Sequence, residues 1–204
     1  MTLFTPRKAT NWIVVHCAAT PPTLDVGVKE IRVWHKERGF VDIGYHFVIR
    51  RDGTVEVGRP ENVIGAHVEG YNSDSVAVSL VGGVDAKNQP ENNFTPAQFA
   101  ALALKLRELQ AKYPHAKIQG HRDFPKVAKA CPSFDVRKWI AETGVFATSH
   151  VADEPHVQSI EVKAGDSLWA IAHKYGWTVD EIVAANPHIE PTKLQIGQVI
   201  RLPG

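Results

Sequence analysis

Residues 121–131, His-Arg-Asp-Phe-Pro-Lys-Val-Ala-Lys-Ala-Cys, crowd a histidine, a cysteine and two lysines into one proline-interrupted stretch. A second histidine, His16, ends the apolar run Trp12-Ile-Val-Val15 far upstream. Two imidazoles and a thiolate form a donor set that a catalytic zinc ion uses, with a fourth position left for water. If His16, His121 and Cys131 meet, the chemistry they point to is hydrolysis. Residue type alone does not force that reading. A histidine ending an apolar strand is more often a packed core residue, a lone buried cysteine is usually inert, and no HExxH or CxxC spacing is present. A glycosidase would need paired carboxylates across a cleft, and the chain offers no convincing pair.

Several elements must position these residues. Trp12–Val15 is β-branched and apolar, a buried strand that delivers His16. Val28 to Arg38 carries Val28, Ile31, Trp34 and His35 on one helical stripe, with Gly39 as the stop. Gly44 to Arg50 alternates, which predicts Tyr45, Phe47 and Ile49 on one face of a strand and His46 and Val48 on the other. Asp52-Gly53 turns it into a hairpin with Thr54–Val57. Residues 58–74 read as a long irregular loop, a feature that usually carries function. Val76–Val81 is another strand. Thr95-Pro-Ala-Gln98 has the parts of a capping box, and the helix behind it buries Phe99, Leu102, Ala103, Leu106, Leu109 and Tyr113. Lys117–Gly120 is a short strand ending at His121, and Ser133–Ile140 a closing helix.

The chain has 204 residues, 44% hydrophobic and 22% charged, which suits a globular domain plus a small one. Residues 1–144 carry 19 Lys+Arg against 15 Asp+Glu, and residues 145–204 carry 4 against 7. Neither half is basic enough for nucleic acid. No apolar run is long enough to cross a bilayer, so no membrane insertion is expected, and Trp12–Val15 is too short for a signal-peptide core. The expectation is therefore synthesis in a cytoplasm, with Cys17 and Cys131, the two cysteines, reduced. Periodicity fades after residue 142 and returns near Ile160. The expected domains are 1–143, a linker at 144–158, and 159–204, the last a strand–helix–helix–strand unit with helices capped at Asp166/Ser167 and Thr178.

Four ordered stretches carry a resemblance: Val15-His16-Cys17-Ala-Ala-Thr20, Gly44-Tyr45-His46-Phe47, Gly120-His121-Arg122-Asp123 and Lys129-Ala-Cys131-Pro132. Over roughly residues 8–141 the chain resembles the zinc N-acetylmuramoyl-L-alanine amidases of the type 2 superfamily, which includes the peptidoglycan-recognition proteins. It is most similar to the amidase lysozymes of T-odd coliphages. The resemblance implies an α/β fold with a mixed central sheet flanked by helices, and zinc held by His16, His121 and Cys131. It also implies Tyr45 and Lys129 as catalytic residues, with Lys126 the rival lysine, and His67 and Asn72 as substrate contacts. The implied reaction is hydrolysis of the amide joining the lactyl group of N-acetylmuramic acid to L-alanine. Asp123 would steady a ligand or pair with Arg122; His35 would pack, His46 would support the site, and Cys17 would face away as a small buried hydrophobe.

Val162-Lys-Ala-Gly165-Asp-Ser-Leu-Trp, Asn186-Pro187 and Leu194-Gln-Ile-Gly-Gln-Val-Ile-Arg-Leu-Pro203 resemble a LysM module. That implies a small α+β (βααβ) domain binding N-acetylglucosamine-containing glycan, its groove lined by Gly165, Asp166, Ser167, Leu168, Asn186, Pro187 and Ile189. The combined expectation is a monomeric phage endolysin acting on peptidoglycan after release from the host cytoplasm. A bacterial wall-turnover amidase and a non-catalytic peptidoglycan receptor are the alternatives.

Overall fold

The computed structural model describes residues 4–146, 159–191 and 194–203, the His173 side chain excepted. The chain divides into two compact units, Met1–Phe146 and Ala147–Gly204. Most of the expected linker, residues 147–158, lies outside the described residues.

The first unit is built on a five-stranded sheet in the order β3-β2-β4-β1-β5. Its strands are β1 (Trp12–Cys17), β2 (Phe47–Ile49), β3 (Val55–Val57), β4 (Ser75–Leu80) and β5 (Lys117–Gly120). β2, β4, β1 and β5 run parallel, and β3 returns antiparallel on β2 at the edge. The helices α1 (Val28–Glu37), α2 (Pro96–Lys112) and α3 (Val136–Thr143) complete the unit. The mixed sheet with flanking helices agrees with the expectation.

Register sorts the side chains. Val15, Val78 and Phe47 are aligned neighbours, as are Cys17, Leu80 and Ile49. All six join the core formed with Leu102, Leu106 and Leu109 of α2 and Val136 of α3. One residue out of phase, His16, Ser79 and Val48 align on the opposite face, where Val48 packs with Val28 and Ile31 of α1. Because side chains alternate along a strand, His16 faces away from α2 and lies at the carboxyl end of β1. Parallel α/β sheets bind ligands at that end.

The expected capping box of α2 is present: Gln98 N donates to Thr95 Oγ1 at 3.1 Å and Thr95 N to Gln98 Oε1 at 3.1 Å. Gln98 also donates from Nε2 to the carbonyls of Ile49 and Val81, so the helix start is tied to the sheet. Two expectations need correction. Tyr45 does not share the face of Phe47 and Ile49; it packs with the Val48 cluster under α1. The strand starts only at Phe47, so alternation does not extend back to residue 45. The third helix spans 136–143 rather than 133–140, because Asp135 is its N-cap, accepting from Lys138 N at 2.9 Å.

In the second unit, β6 (Ser159–Glu161) pairs antiparallel with β7 (Val199–Arg201), with α4 (Leu168–Tyr175) and α5 (Val179–Ala185) between them in sequence. Val162, Leu168, Ile171, Ala172, Ile182 and Ile200 form its core. Among the described residues no helix is long and apolar enough to cross a membrane.

Candidate metal centre and substrate groove

His16 is fixed by β1 and is 1% exposed. β5 runs beside β1 and ends at Gly120, after which a 3-10 turn (His121–Asp123) throws His121 back over the strand end. The imidazoles of His16 and His121 lie 4.6 Å apart, centre to centre. The loop then returns: Arg122 N donates to Cys131 O at 2.7 Å, which closes the stretch and brings the cysteine beside its own starting histidine. Gly120 makes this closure fit, since a Cβ there would lie 2.8 Å from Pro132 Cδ. Asp123 accepts from Gly120 N at 2.9 Å and lies 3.9 Å from Arg122, so it shapes the turn.

The donor atoms of His16, His121 and Cys131 all fall within 4.8 Å of one another. His16 Nδ1 is 3.7 Å from Cys131 Sγ. Tetrahedral zinc with ordinary Zn–N and Zn–S bonds would place such a pair about 3.5 Å apart, so the donors present fit that ion in type and spacing. Burial, then the neighbouring His67, His121 and Lys129, holds the His16 pKa well below its usual value. Burial and then Lys129 bring His121 down to about 4. Both rings are therefore neutral at pH 7, the state in which a histidine ligates metal.

Cys17 points into the α2-side core as a buried side chain, as expected, and its thiol is influenced by Cys131. The neighbouring Cys131 thiol draws the Cys17 thiol down to about 7, and Cys17 together with burial pushes Cys131 up. Cys17 N also donates to Cys131 Sγ at 3.3 Å. A cation touching Cys131 alone would reverse that order, because it favours the thiolate it contacts.

Tyr45 lies between His16 and His35, with ring centroids 5.1 Å from each. Burial and the nearby cysteines raise its pKa, so it stays a phenol and a donor. His35 accepts from Gly44 N at 2.8 Å and is 3% exposed, a packing role that also braces Tyr45. His46 accepts from Ala77 N at Nδ1 (3.0 Å) and faces Val63 O with Nε2 (3.0 Å), so it joins β4 to the long loop.

A groove of about 730 Å³ opens beside the donors, lined by His67, Gly70, Tyr71, His121 and the 125–129 segment including both lysines. Lys129 is a charge acting on all three donor side chains, whereas Lys126 is not among the leading influences on any of them. His67 thus reaches the groove. Asn72 does not line it: its Oδ1 accepts from His67 N (2.7 Å) and Val68 N (2.9 Å), holding the loop in shape.

In the second unit, Asn186, Pro187 and Ile189 line a hollow with Gln198, Val199 and Arg201. Asn186 exchanges hydrogen bonds with the backbone of Arg201, locking the end of α5 to β7. Gly165, Asp166 and Ser167 are exposed; Asp166 accepts from Lys163 N, and Ser167 caps α4 through Ala170 N. The Leu168 side chain is 2% exposed and belongs to the core.

Sequence reasoning missed Ser75. It is fully buried, with its Oγ 3.3 Å from His67 Nε2 and 2.5 Å from Tyr71 O. A serine opening an apolar strand was the available signal, and it is a weak one.

Comparison with known proteins agrees with this geometry. The family described as N-acetylmuramoyl-L-alanine amidase matches residues 6–134, and the LysM domain family matches residues 160–203. The chain is 57% identical over 146 residues to an endolysin of Enterobacteria phage K11, covering 72% of this chain and 95% of that protein. It is 52% identical over 136 residues to the endolysin of Escherichia phage T7, covering 67% and 89%. Among solved structures, an endolysin N-acetylmuramoyl-L-alanine amidase from Clostridium intestinale superposes with a TM-score of 0.60 at 30% identity, covering 70% of this chain and 89% of that one. With the two histidines and the cysteine converging where the amidase match runs, the chain belongs to the N-acetylmuramoyl-L-alanine amidase family and carries a LysM domain behind the catalytic unit.

Proposed function

We propose that the protein is a zinc-dependent endolysin that hydrolyses the amide between the lactyl group of N-acetylmuramic acid and L-alanine in peptidoglycan. The observation that carries this reading is the convergence of His16, His121 and Cys131, the second of which also lines the open groove. Zinc bound by these three residues supplies Lewis acidity and brings the ionisation of water toward pH ~7. The remaining chemistry belongs to the chain. The groove along residues 67–71 and 125–129 takes the muramoyl peptide. Lys129 presents an ammonium where the carbonyl oxygen gains negative charge, and Tyr45, kept protonated by burial, donates toward the same centre or to the leaving amine.

The second unit acts as the anchor. Its hollow beside Asn186, Pro187 and Ile189, with the exposed Gly165–Ser167 turn, is proposed to hold N-acetylglucosamine-containing glycan. Tethering raises the local enzyme concentration at an insoluble polymer. The protein works as a monomer, is made in the host cytoplasm and acts on the wall after release. Its amidase domain, expected over 1–143, is taken to run on to Phe146 because Val145 is buried and its carbonyl accepts from Arg107 Nε, and a linker joins it to the LysM domain at 159–204. The presence of the cysteine donor and of Lys129 favours catalysis over a receptor that binds without cutting.

Metal analysis tests the reading. Purified protein should hold one zinc per chain, and Cys131→Ser should lose most of it together with activity. Full zinc retention by Cys131→Ser would contradict the donor set.

A further inference from the structure

The geometry points to His67, backed by Ser75 and the Tyr71 carbonyl, as a positioning residue that sets which nitrogen of His16 is free to bind the metal. This rests on the zinc reading above and extends it from the donors to what orients them.

The chain of hydrogen bonds has one direction. The Tyr71 carbonyl can only accept, so the Ser75 hydroxyl 2.5 Å away spends its proton there. Ser75 Oγ then faces His67 Nε2 at 3.3 Å as an acceptor, and His67 carries its proton on Nε2. In a neutral ring the other nitrogen is bare, so His67 Nδ1 accepts from His16 Nε2, 3.1 Å away. His16 is left with a bare Nδ1, the atom that faces Cys131 Sγ. A backbone carbonyl four residues before β4 thereby dictates the tautomer of a ligand on β1. Histidine ligands commonly donate their second N–H to an oxygen acceptor. Here a second imidazole stands in that place and needs a director of its own.

His67 is built in rather than passing by. Asn72 holds its backbone N–H, His46 packs edge-on at 5.7 Å, and Gly65 leaves room for the ring, since a Cβ there would lie 2.5 Å from His67 Cδ2. The nearly perpendicular His16 and His67 rings (86°, centroids 5.0 Å) place the nitrogen of one at the edge of the other.

The test compares full-length wild type, His67→Gln, His67→Phe and Ser75→Ala. Each is stripped with chelator and titrated with zinc against a chromophoric competitor, and the thermal midpoint of each metal-free protein is recorded. His67→Phe fills the space without an acceptor and should weaken zinc binding 10- to 100-fold. His67→Gln keeps a carbonyl that can accept from His16 and should bind within about threefold of wild type. Ser75→Ala removes the director but leaves the ring, and should fall between them. Cobalt-loaded His67→Phe should also show a shifted visible spectrum where His67→Gln does not.

Equal zinc affinity in all four proteins would overturn the proposal. So would equal losses in His67→Phe and His67→Gln, which would mark His67 as packing only. If His67→Phe fails to fold, an unchanged Ser75→Ala affinity alone refutes the chain of direction. Failure of the zinc reading is distinguishable, because wild type itself would then bind no stoichiometric zinc.

Discussion

Replacing each lysine of the 121–131 loop by methionine separates two roles that the sequence leaves tied. Methionine keeps the length of the stem and removes the charge. Lys129 is exposed to the groove yet acts on His16, His121 and Cys131 together. A charge about 5 Å from a developing oxyanion, at an effective dielectric near 20, is worth about 3 kcal/mol. That falls in the ~2.7–4 kcal/mol range found for single oxyanion donors, or about 10²–10³ in rate. Water screens an exposed lysine in the open groove, but a substrate bound over the 125–129 segment, as proposed above, would exclude that water at the moment of reaction. Lys129→Met should therefore lower kcat on a soluble muropeptide by about two to three orders of magnitude with zinc content unchanged. Lys126→Met should shift KM more than kcat, since Lys126 lines the groove and is not among the leading influences on the donors. The assay is steady-state release of free peptide with metal analysis of each variant. A hundredfold kcat loss in Lys126→Met, with less than tenfold in Lys129→Met, would refute the assignment.

Other outcomes follow from the same structure. Truncation after Phe146 leaves the first unit with its own core and should lower activity on intact sacculi far more than on small muropeptides; equal losses on both would contradict tethering. Burial holds His46 and His35 down to about 4, against 6.5 in an unfolded chain. Below pH 6.5 the unfolded state takes up protons that the folded state refuses, so stability is fully present above that pH and lost as pH falls toward 4. For His46 alone the loss amounts to about 3 kcal/mol. Urea unfolding of the chelated protein should show this between pH 7 and 5, and a flat profile would contradict it. Thr95→Ala removes the cap of α2 and a hydroxyl donor to Arg51 O, so the urea midpoint should drop by the equivalent of about 1–2 kcal/mol. An unchanged midpoint would show the capping box to be idle.

Much of the scaffold was legible because its signals are local. The β-branched run before His16, the capping box at Thr95 and the short strand ending at Gly120 each declare themselves within a few residues, and the structure has all three. Convergence of His16, His121 and Cys131 was not legible from spacing, since parallel pairing of β1 with β5 sets it and nothing local specifies that pairing. Ordered motifs shared with a family carried that step. Tyr45 shows the limit of periodicity: alternation was extended two residues beyond the strand, and the residue fell on the other side of the sheet. The contact between Cys17 and Cys131 and the His16–His67–Ser75–Tyr71 chain are products of tertiary packing, invisible to any window of sequence.

The central claim is tested most directly by digesting purified sacculi with the full-length protein, with and without chelator, and identifying the products by mass. The account predicts free stem peptides that begin at L-alanine, intact glycan strands without new reducing ends, and loss of the reaction in chelator with recovery on added zinc. New reducing ends on the sugars, or peptide release undiminished by full zinc removal, would contradict it.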